Sequence, residues 1–501
     1  MAMEQPDLTK RTLDKDLDKI TNVEAATHYI ARQFANYATA TLFLIVAGFF
    51  AGASVSDTPE VWIIVAAAAI GAYMAVNIGA NDVTNNVGPA VGAKAISMTA
   101  ALVMAAICEI AGALLAGGKV VQTISNGIID ASAITDSDVL VWTMMSALLA
   151  AALWINLATW LKAPISTTHA IVGGVAGAGI AASGLSAVDW FSMAGIAAGW
   201  MISPLLAGAV AIGFLAFIKE FIIYRTEKVA AARFWVPILS AIMAGVFATY
   251  LAFIGLQQIL YVSLYGALLV GLGCAVLTWL VSAPLVKRQS IGLENRNQSL
   301  RQLFQIPLIF SAALLSFSHG ANDVSNAVGP LAAIVQTVRS HSVSADVNVP
   351  MWVMLIGALG LSCGILLFGP RLIRLVGEQI TKLNPMRAFC VSLATALTVL
   401  LASWFGMPVS TTHTAVGAVF GVGFFREWYT RNSARRKMAV RAQPARAPST
   451  NVFETDTVEL RRRYLVRRSH FMTIIAAWMI TVPASAALAA GLYWVMFRLF
   501  M

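Results

Sequence analysis

The sequence predicts an all-α polytopic membrane protein, arranged as an inverted-topology repeat of broken transmembrane helices. Three observations predict this fold class. Of the 501 residues, 58% are hydrophobic and only 12% are charged, which is more apolar surface than one soluble core can bury. The apolar residues form runs of about 20, the length that a spanning helix requires. Two polar motifs each occur twice, at nearly the same offset along the chain.

Thirteen apolar runs are candidates for membrane crossings. They lack the alternating pattern of outer-membrane β-strands, so we expect helices. The first run is an extra N-terminal helix, and twelve crossings follow it. In chain order the runs cover residues 38–56, 61–86, 96–117, 139–161, 164–184, 190–218, 234–255, 262–286, 303–328, 351–369, 388–405, 408–425 and 471–495.

The charged residues predict which loops face the cytoplasm. The formal net charge is +10, but the basic residues are concentrated in particular loops, as the positive-inside rule expects. Residues 426–470 are rich in arginine, and residues 130–138 contain three aspartates. We therefore expect the first stretch to be cytoplasmic and the second external. No nucleic-acid partner is expected.

This count divides the chain into seven segments. The non-repeated parts are an N-terminal cytoplasmic segment, the extra helix, two cytoplasmic connections and a final transmembrane helix. The repeated parts are the first repeat with the helices that follow it, and the second, inverted repeat. In chain order the segments are 1–37 (N-terminal), 38–60 (extra helix), 61–286 (first repeat), 287–302 (loop), 303–425 (second repeat), 426–470 (basic linker) and 471–501 (last helix).

Two matched pairs of segments reveal the repeat. MAVNIGANDVTNNVGPAVGA at 74–93 matches LSFSHGANDVSNAVGPLAAI at 315–334, at an offset of 241. LKAPISTTHAIVGGVAGAG at 161–179 matches FGMPVSTTHTAVGAVFGVG at 405–423, at an offset of 244. Loop charge and crossing number predict that the first GANDV helix enters from outside and the second from inside. Inverted repeats of this kind are typical of secondary transporters.

The GANDV motif interrupts an apolar helix with polar groups. Gly79, Gly88 and Pro89 weaken the helix, and a freed backbone group survives at membrane depth only beside protein or a wet cavity. Amide, carboxylate and carbonyl oxygens suit a hard cation. The sequence predicts Na⁺ ligands at Asn81, Asp82, Asn322 and Asp323. The alternative is a helix contact in which each aspartate is merely hydrogen-bonded in place.

The STTH motif predicts an anion site. A proline two residues before each serine marks a helix start, where free N–H groups and the positive end of the helix dipole attract anions. Two such starts meeting head to head offer an oxyanion many donors. The predicted ligands are Ser166, Thr167, Thr168, Ser410, Thr411 and Thr412. In the alternative reading, these hydroxyls bond to carbonyls of their own helices.

Further polar residues are candidates for coupling or tuning. His169 and His413 close the STTH motifs and could carry protons, although a helix histidine is more often hydrogen-bonded in place. Glu109 could tune cation coupling or pair with a polar neighbour. Asn85 and Asn326 accompany the GANDV aspartates. The sequence shows no nucleophile–base pair and no HExxH motif, so an enzyme is not expected.

GANDVTNN, SHGANDVSNAVGP, PISTTH and PVSTTH together resemble the PiT family of inorganic phosphate transporters, which are cation-coupled symporters. The resemblance spans residues 61–495. It implies an all-helical inverted repeat of about twelve crossings with substrate bound between the halves. It also implies that Asp82 and Asp323 contribute to the phosphate site as well as to the cation site, and that the STTH hydroxyls surround phosphate.

From these observations we expect import of inorganic phosphate by symport with Na⁺ or H⁺, by alternating access around a midplane site. The alternatives are a sulfate or other oxyanion permease on the same scaffold and a passive anion channel. No cofactor is expected beyond the coupling ion. The expected partners are phosphate and membrane lipid, and a homodimer is compatible with the sequence. The expected location is the plasma membrane, which is the inner membrane in a bacterium.

Overall fold

The computed structural model is helical, with an isolated β-bridge in its described part. It describes residues 11–56, 58–130, 133–161, 163, 165–255, 261–343, 347–377, 383–433 and 468–500. The first eight helices are α1 Arg11–Ser54, α2 Val61–Asn86, α3 Gly88–Gly92, α4 Met98–Ala116, α5 Gly118–Asn126, α6 Ser137–Trp160, α7 Thr167–Ser183 and α8 Trp190–Ile218.

Nine helices follow in the described part of the chain. They are α9 Lys228–Tyr250, α10 Leu264–Gln289, α11 Asn297–Leu303, α12 Gln305–Asp323, α13 Ser325–Ser340, α14 Met351–Gly377, α15 Pro385–Trp404, α16 Thr411–Asn432 and α17 Arg468–Phe500. Short single turns occur at Leu185–Ala187, Lys219–Ile223 and Leu251–Gly255.

Polar side chains set several of the helix starts. Ser97 and Ser263 accept hydrogen bonds from backbone N–H groups in the first turns of α4 and α10, and this satisfies donors that have no partner within the helix. Asp189 caps α8 by accepting from Phe191 and Ser192. The hydrogen bonds from Ser192 are the main reason that the pKa of Asp189 is lowered.

The protein is a multi-pass membrane protein. Ten described helices are long and apolar enough to cross a membrane, and eleven if the bent pair Asn297–Leu303 and Gln305–Ser340 counts as one span. The thirteen runs expected from the sequence also include α7 and α16, which are not among these candidates. α7 has only 17 residues, and α16 ends in a charged stretch that contains Arg426, Glu427 and Arg431.

The N-terminal helix continues without a break into the extra membrane span. α1 covers 44 residues, and its apolar part is Gln33–Ser54. It packs against α2 and α14, and the Asn36 amide donates to the Leu367 carbonyl at 2.7 Å. The extra helix is therefore attached to the body of the repeat. The predicted boundary near residue 37 lies inside it.

The chain path shows that the two GANDV helices enter from opposite sides. Ile129, after α5, pairs with Val188, after α7, so the chain between them starts and ends on one side. Trp62 and Trp142, at the starts of α2 and α6, are in ring contact at 6.2 Å, so both helices start on that side. Crossings by α2, α4, α8, α9 and α10 then bring α12 in from the other side.

Close helix contacts repeat between the halves. A Cβ atom at Gly79 would overlap the Leu361 carbonyl, and one at Gly320 would overlap the Glu109 carbonyl. A Cβ atom at Gly112 would likewise overlap the Phe317 carbonyl, and one at Gly364 would overlap the Val76 carbonyl. The repeat relates these contacts to one another, because α2 corresponds to α12 at offset 241 and α4 corresponds to α14 at offset 252. The repeat is therefore present in the packing as well as in the motifs.

Candidate functional site

Both GANDV motifs lie at helix breaks in the interior. α2 ends at Asn86 and α3 begins at Gly88, because Pro89 has no N–H to continue the hydrogen-bond ladder. In the second copy the break comes earlier, between Asp323 and Ser325, and Pro330 lies inside α13. The predicted broken helices are present, with different break positions in the two halves.

The two GANDV aspartates meet in the protein interior. Asp82 is 1% exposed and Asp323 is fully buried. The Thr167 hydroxyl lies 3.2 Å from Asp82 Oδ2 and 3.1 Å from Asp323 Oδ2. The His319 Nε2 atom lies 3.5 Å from each of the same oxygens. Within the described chain, no lysine or arginine is paired with either carboxylate.

The STTH threonines surround these carboxylates. Thr411 donates to Asp323 Oδ1 at 2.8 Å, and Thr412 donates to Asp82 Oδ1 at 2.9 Å. The Thr168 hydroxyl donates to the Val409 carbonyl, just before α16. The starts of α7 and α16 therefore meet head to head, with the aspartates between them.

Asn85 and Asn326 connect the GANDV motifs to the STTH helices. The Asn85 amide donates to the Thr412 hydroxyl at 2.8 Å, and the Asn326 amide lies 3.3 Å from the Thr168 hydroxyl. The two contacts are equivalent under the repeat, and each joins a GANDV helix to the STTH helix of the other half. Asn85 also lies 3.4 Å from Asp82 Oδ1, and Asn326 lies 3.5 Å from the Thr167 hydroxyl that contacts both aspartates.

Asn81 and Asn322 lie at the edge of the cluster, each beside a hydroxyl that the sequence motifs do not include. The Asn322 amide donates to the Ser403 hydroxyl at 3.1 Å, and the Thr159 hydroxyl donates to the Asn81 amide oxygen at 3.4 Å. Thr159 and Ser403 each precede a motif serine by seven residues. Extending the repeat comparison upstream could have found them.

Glu109 and His319 form a buried polar pair that only one half contains. His319 Nδ1 lies 2.9 Å from Glu109 Oε1, and the Asn86 amide donates to the same oxygen at 2.7 Å. At the packing offsets, His319 corresponds to Ile78 and Glu109 corresponds to Leu361. The cluster is therefore symmetric at its aspartates and asymmetric in this outer layer.

Ser166 and Ser410 have a structural task. Each is the N-cap of its helix, and its hydroxyl accepts from the backbone N–H of His169 or His413 at 3.1 or 3.2 Å. His169 and His413 do not contact the aspartates in the described chain. Their rings meet each other at 4.4 Å on another face of the same helix starts.

The cluster can hold a cation. Single ligand atoms of Asp82, His319 and Asp323 all lie within 4.8 Å of one another. Neighbouring threonine hydroxyls and amide oxygens add hard oxygen donors of the kind that Na⁺ and other hard cations prefer. The same helix starts carry the donors that an oxyanion requires.

Comparisons with known proteins agree on one family. The sequence profile described as "Phosphate transporter family" matches residues 78–489. The chain is 41% identical to a Helicobacter pylori (strain J99) protein named "Putative phosphate permease", over 95% of this chain and 98% of that protein. It is 33% identical to "Inorganic phosphate transporter 2-1, chloroplastic" of Arabidopsis thaliana, over 85% and 70% respectively.

A solved structure has the same architecture. The structure named "The sodium-dependent phosphate transporter" has a TM-score of 0.76 and 32% sequence identity to this chain. The match covers 87% of this chain and 100% of that one. The helical arrangement described above is therefore similar to that of a known transporter over most of the chain.

Proposed function

The chain belongs to the phosphate transporter family, and from this premise we propose that it imports inorganic phosphate by symport with Na⁺ through alternating access. The family transports phosphate, so the chain is a transporter and not an enzyme. The similar solved structure is named as a sodium-dependent transporter, and this supports Na⁺ over H⁺. The observation that carries the proposal is the meeting of Asp82 and Asp323 in the interior.

Two buried carboxylates require a positive partner. Burying an unpaired charge is costly, and it is tolerated when an opposite charge and hydrogen bonds compensate. The partners of Asp82 and Asp323 in the described chain are hydroxyls, amides and His319. His319 is the one ionisable partner among them and can offset at most one of the two negative charges. A Na⁺ ion held by these carboxylates, with Asn81 and Asn322, would supply further positive charge.

We place phosphate at the head-to-head starts of α7 and α16. The proposed ligands are the backbone N–H groups of both first turns and the hydroxyls Ser166, Thr167, Thr168, Ser410, Thr411 and Thr412. Three of these hydroxyls now donate to aspartate oxygens. When those oxygens ligate Na⁺, the hydroxyl donors can turn to phosphate. Cation binding would thereby create the anion site, which is a physical basis for coupling.

Because Na⁺ would free these hydroxyls to bind phosphate, we expect Na⁺ to raise the affinity for phosphate. Phosphate uptake into proteoliposomes of the purified protein should show a KM that falls as external Na⁺ rises. Uptake should follow an imposed Na⁺ gradient and be unaffected by excess sulfate. Uptake driven equally well by a proton gradient without Na⁺ would assign coupling to H⁺. Competition by sulfate would indicate a broader oxyanion permease, and flux without either gradient would indicate a channel.

The two serine caps give a more local prediction. Ser166→Ala and Ser410→Ala should each lower the free energy of unfolding by about 1 kcal/mol, because an N-cap acceptor is lost. Each should also raise the KM for phosphate, because the frayed first turn no longer holds its N–H groups in place. Thermal unfolding in detergent and uptake kinetics measure the two effects.

The matched control is Ser97→Ala at the start of α4. Ser97 caps its helix in the same way, through the N–H of Ala100, but it lies outside the cluster. The Ser97→Ala variant should be less stable than the native protein, with an unchanged KM for phosphate. If the Ser166 and Ser410 variants kept the native KM as well, the helix starts would not be the phosphate site.

A further inference from the structure

We propose that His169, His413, Trp200 and Trp478 form an axial clamp, in which stacked rings hold the two STTH helix starts at a fixed spacing throughout the transport cycle. The proposal rests on the function proposed above. It assigns these residues a positioning role, in place of the proton-carrying role considered from the sequence. The clamp consists of ring contacts on the face of α7 and α16 that points away from the aspartates.

The four rings form two equivalent stacks that meet. The His169 ring lies 3.8 Å from the Trp200 ring, and the His413 ring lies 3.5 Å from the Trp478 ring. The two imidazoles are in edge-to-face contact at 4.4 Å and 88°. His169 corresponds to His413 at offset 244, the offset of the STTH motifs. Trp200 corresponds to Trp478 at offset 278, and α8 and α17 occupy equivalent places against α16 and α7.

A contact between two equivalent residues lies on the twofold axis that relates the halves. Alternating access in inverted-repeat transporters is largely a rocking of one half against the other around a fixed site. If the inward-open and outward-open states exchange the conformations of the halves, a contact on the axis is mapped onto itself. The His169–His413 contact can therefore persist in both states, whereas off-axis contacts between the halves must change.

The clamp also reaches the backbone of the anion site. The Trp200 indole N–H donates to the Pro408 carbonyl at 3.1 Å, two residues before the cap of α16. His169 and His413 are themselves the residues whose backbone N–H groups bond to the serine caps. The two stacked histidines therefore belong to the same first turns that we propose hold phosphate.

The shape of the rings, more than their nitrogens, accounts for these contacts. His413 is 1% exposed, and its Nε2 atom has no hydrogen-bond partner in the described chain. Edge-to-face and offset-stacked contacts are favourable between aromatic rings in general. An aromatic ring without nitrogens should therefore replace the histidines.

The first test compares His169→Phe/His413→Phe with His169→Gln/His413→Gln in proteoliposomes. The phenylalanine pair keeps the rings and should retain the phosphate KM within about 3-fold. The glutamine pair keeps polar groups without rings and should raise KM by at least ~10-fold, because small displacements of binding groups are costly. The reverse ranking, or two variants with native KM, would overturn the clamp.

A second test does not depend on phosphate transport. Diethyl pyrocarbonate, which modifies accessible imidazoles, is applied to the native protein, and modification of His169 and His413 is followed by mass spectrometry. Both side chains are buried, so modification should be equally low in K⁺ buffer, in Na⁺ buffer, and in Na⁺ with phosphate. Modification that rises several-fold in any of these conditions would show that the contact opens. If the native protein does not transport phosphate, the proposed function is wrong, but this measurement still tests the clamp.

Discussion

Asp323→Asn is expected to abolish Na⁺-driven phosphate uptake, and Asp82→Asn is expected to do the same. Each substitution removes one of the two carboxylates that we propose hold the cation, but it keeps the size of the side chain. Removing the carboxylate partner of a buried cation typically costs about 3–5 kcal/mol, which corresponds to a loss of cation affinity of about 100-fold or more. Initial uptake rates under an imposed Na⁺ gradient measure the loss.

Two further measurements separate a lost cation site from a lost fold. Na⁺ should raise the thermal unfolding temperature of the native protein, because a ligand that binds only the folded state stabilises it. The asparagine variants should unfold near the native temperature without Na⁺ and show no rise with it. Asp138→Asn, at an exposed position in the first turn of α6, should transport normally. Full uptake by Asp323→Asn would place the coupling cation elsewhere.

Gly112→Ala is expected to destabilise the fold strongly. The added Cβ would overlap the carbonyl oxygen of Phe317 on α12, and a rigid backbone cannot yield as a flexible side chain can. Separating α4 from α12 would also disturb the nearby Glu109–His319 pair. Overpacking of a tight interior typically lowers the free energy of unfolding by about 1–3 kcal/mol. We expect a lower yield of folded protein and a clearly lower thermal unfolding temperature.

Gly213→Ala is the matched control for that experiment. Gly213 lies within α8, and apart from its chain neighbours and the backbone of its own helix, no atom of the described chain lies within 4 Å of a Cβ built there. The alanine should leave uptake unchanged and could stabilise the helix by about 1 kcal/mol, since alanine is the better helix former. If Gly112→Ala behaved like this control, the close approach of α4 and α12 would not be required by the fold.

Much of the architecture follows from local features of the sequence. Apolar runs of spanning length, loop charges and the doubled motifs were sufficient to predict a helical membrane protein with repeated, broken helices. The break of the first GANDV helix beside Pro89 depends on a few neighbouring residues and was also accessible, whereas the second helix breaks at Val324, before Pro330. The burial of Asp82 and Asp323 was predicted because a polar motif interrupts an apolar run in both copies.

The tertiary structure alone decided which distant groups meet. Thr159 and Ser403 carry no motif of their own, and their place beside Asn81 and Asn322 depends on how α6 and α15 pack. The partners of Glu109, left open by the sequence, are Asn86 and His319. Hydropathy and capping act over one helix, whereas these contacts join different helices, within one half for Thr159–Asn81, Ser403–Asn322 and Asn86–Glu109 and between the halves for Glu109–His319. Only the packing of whole helices brings such residues together.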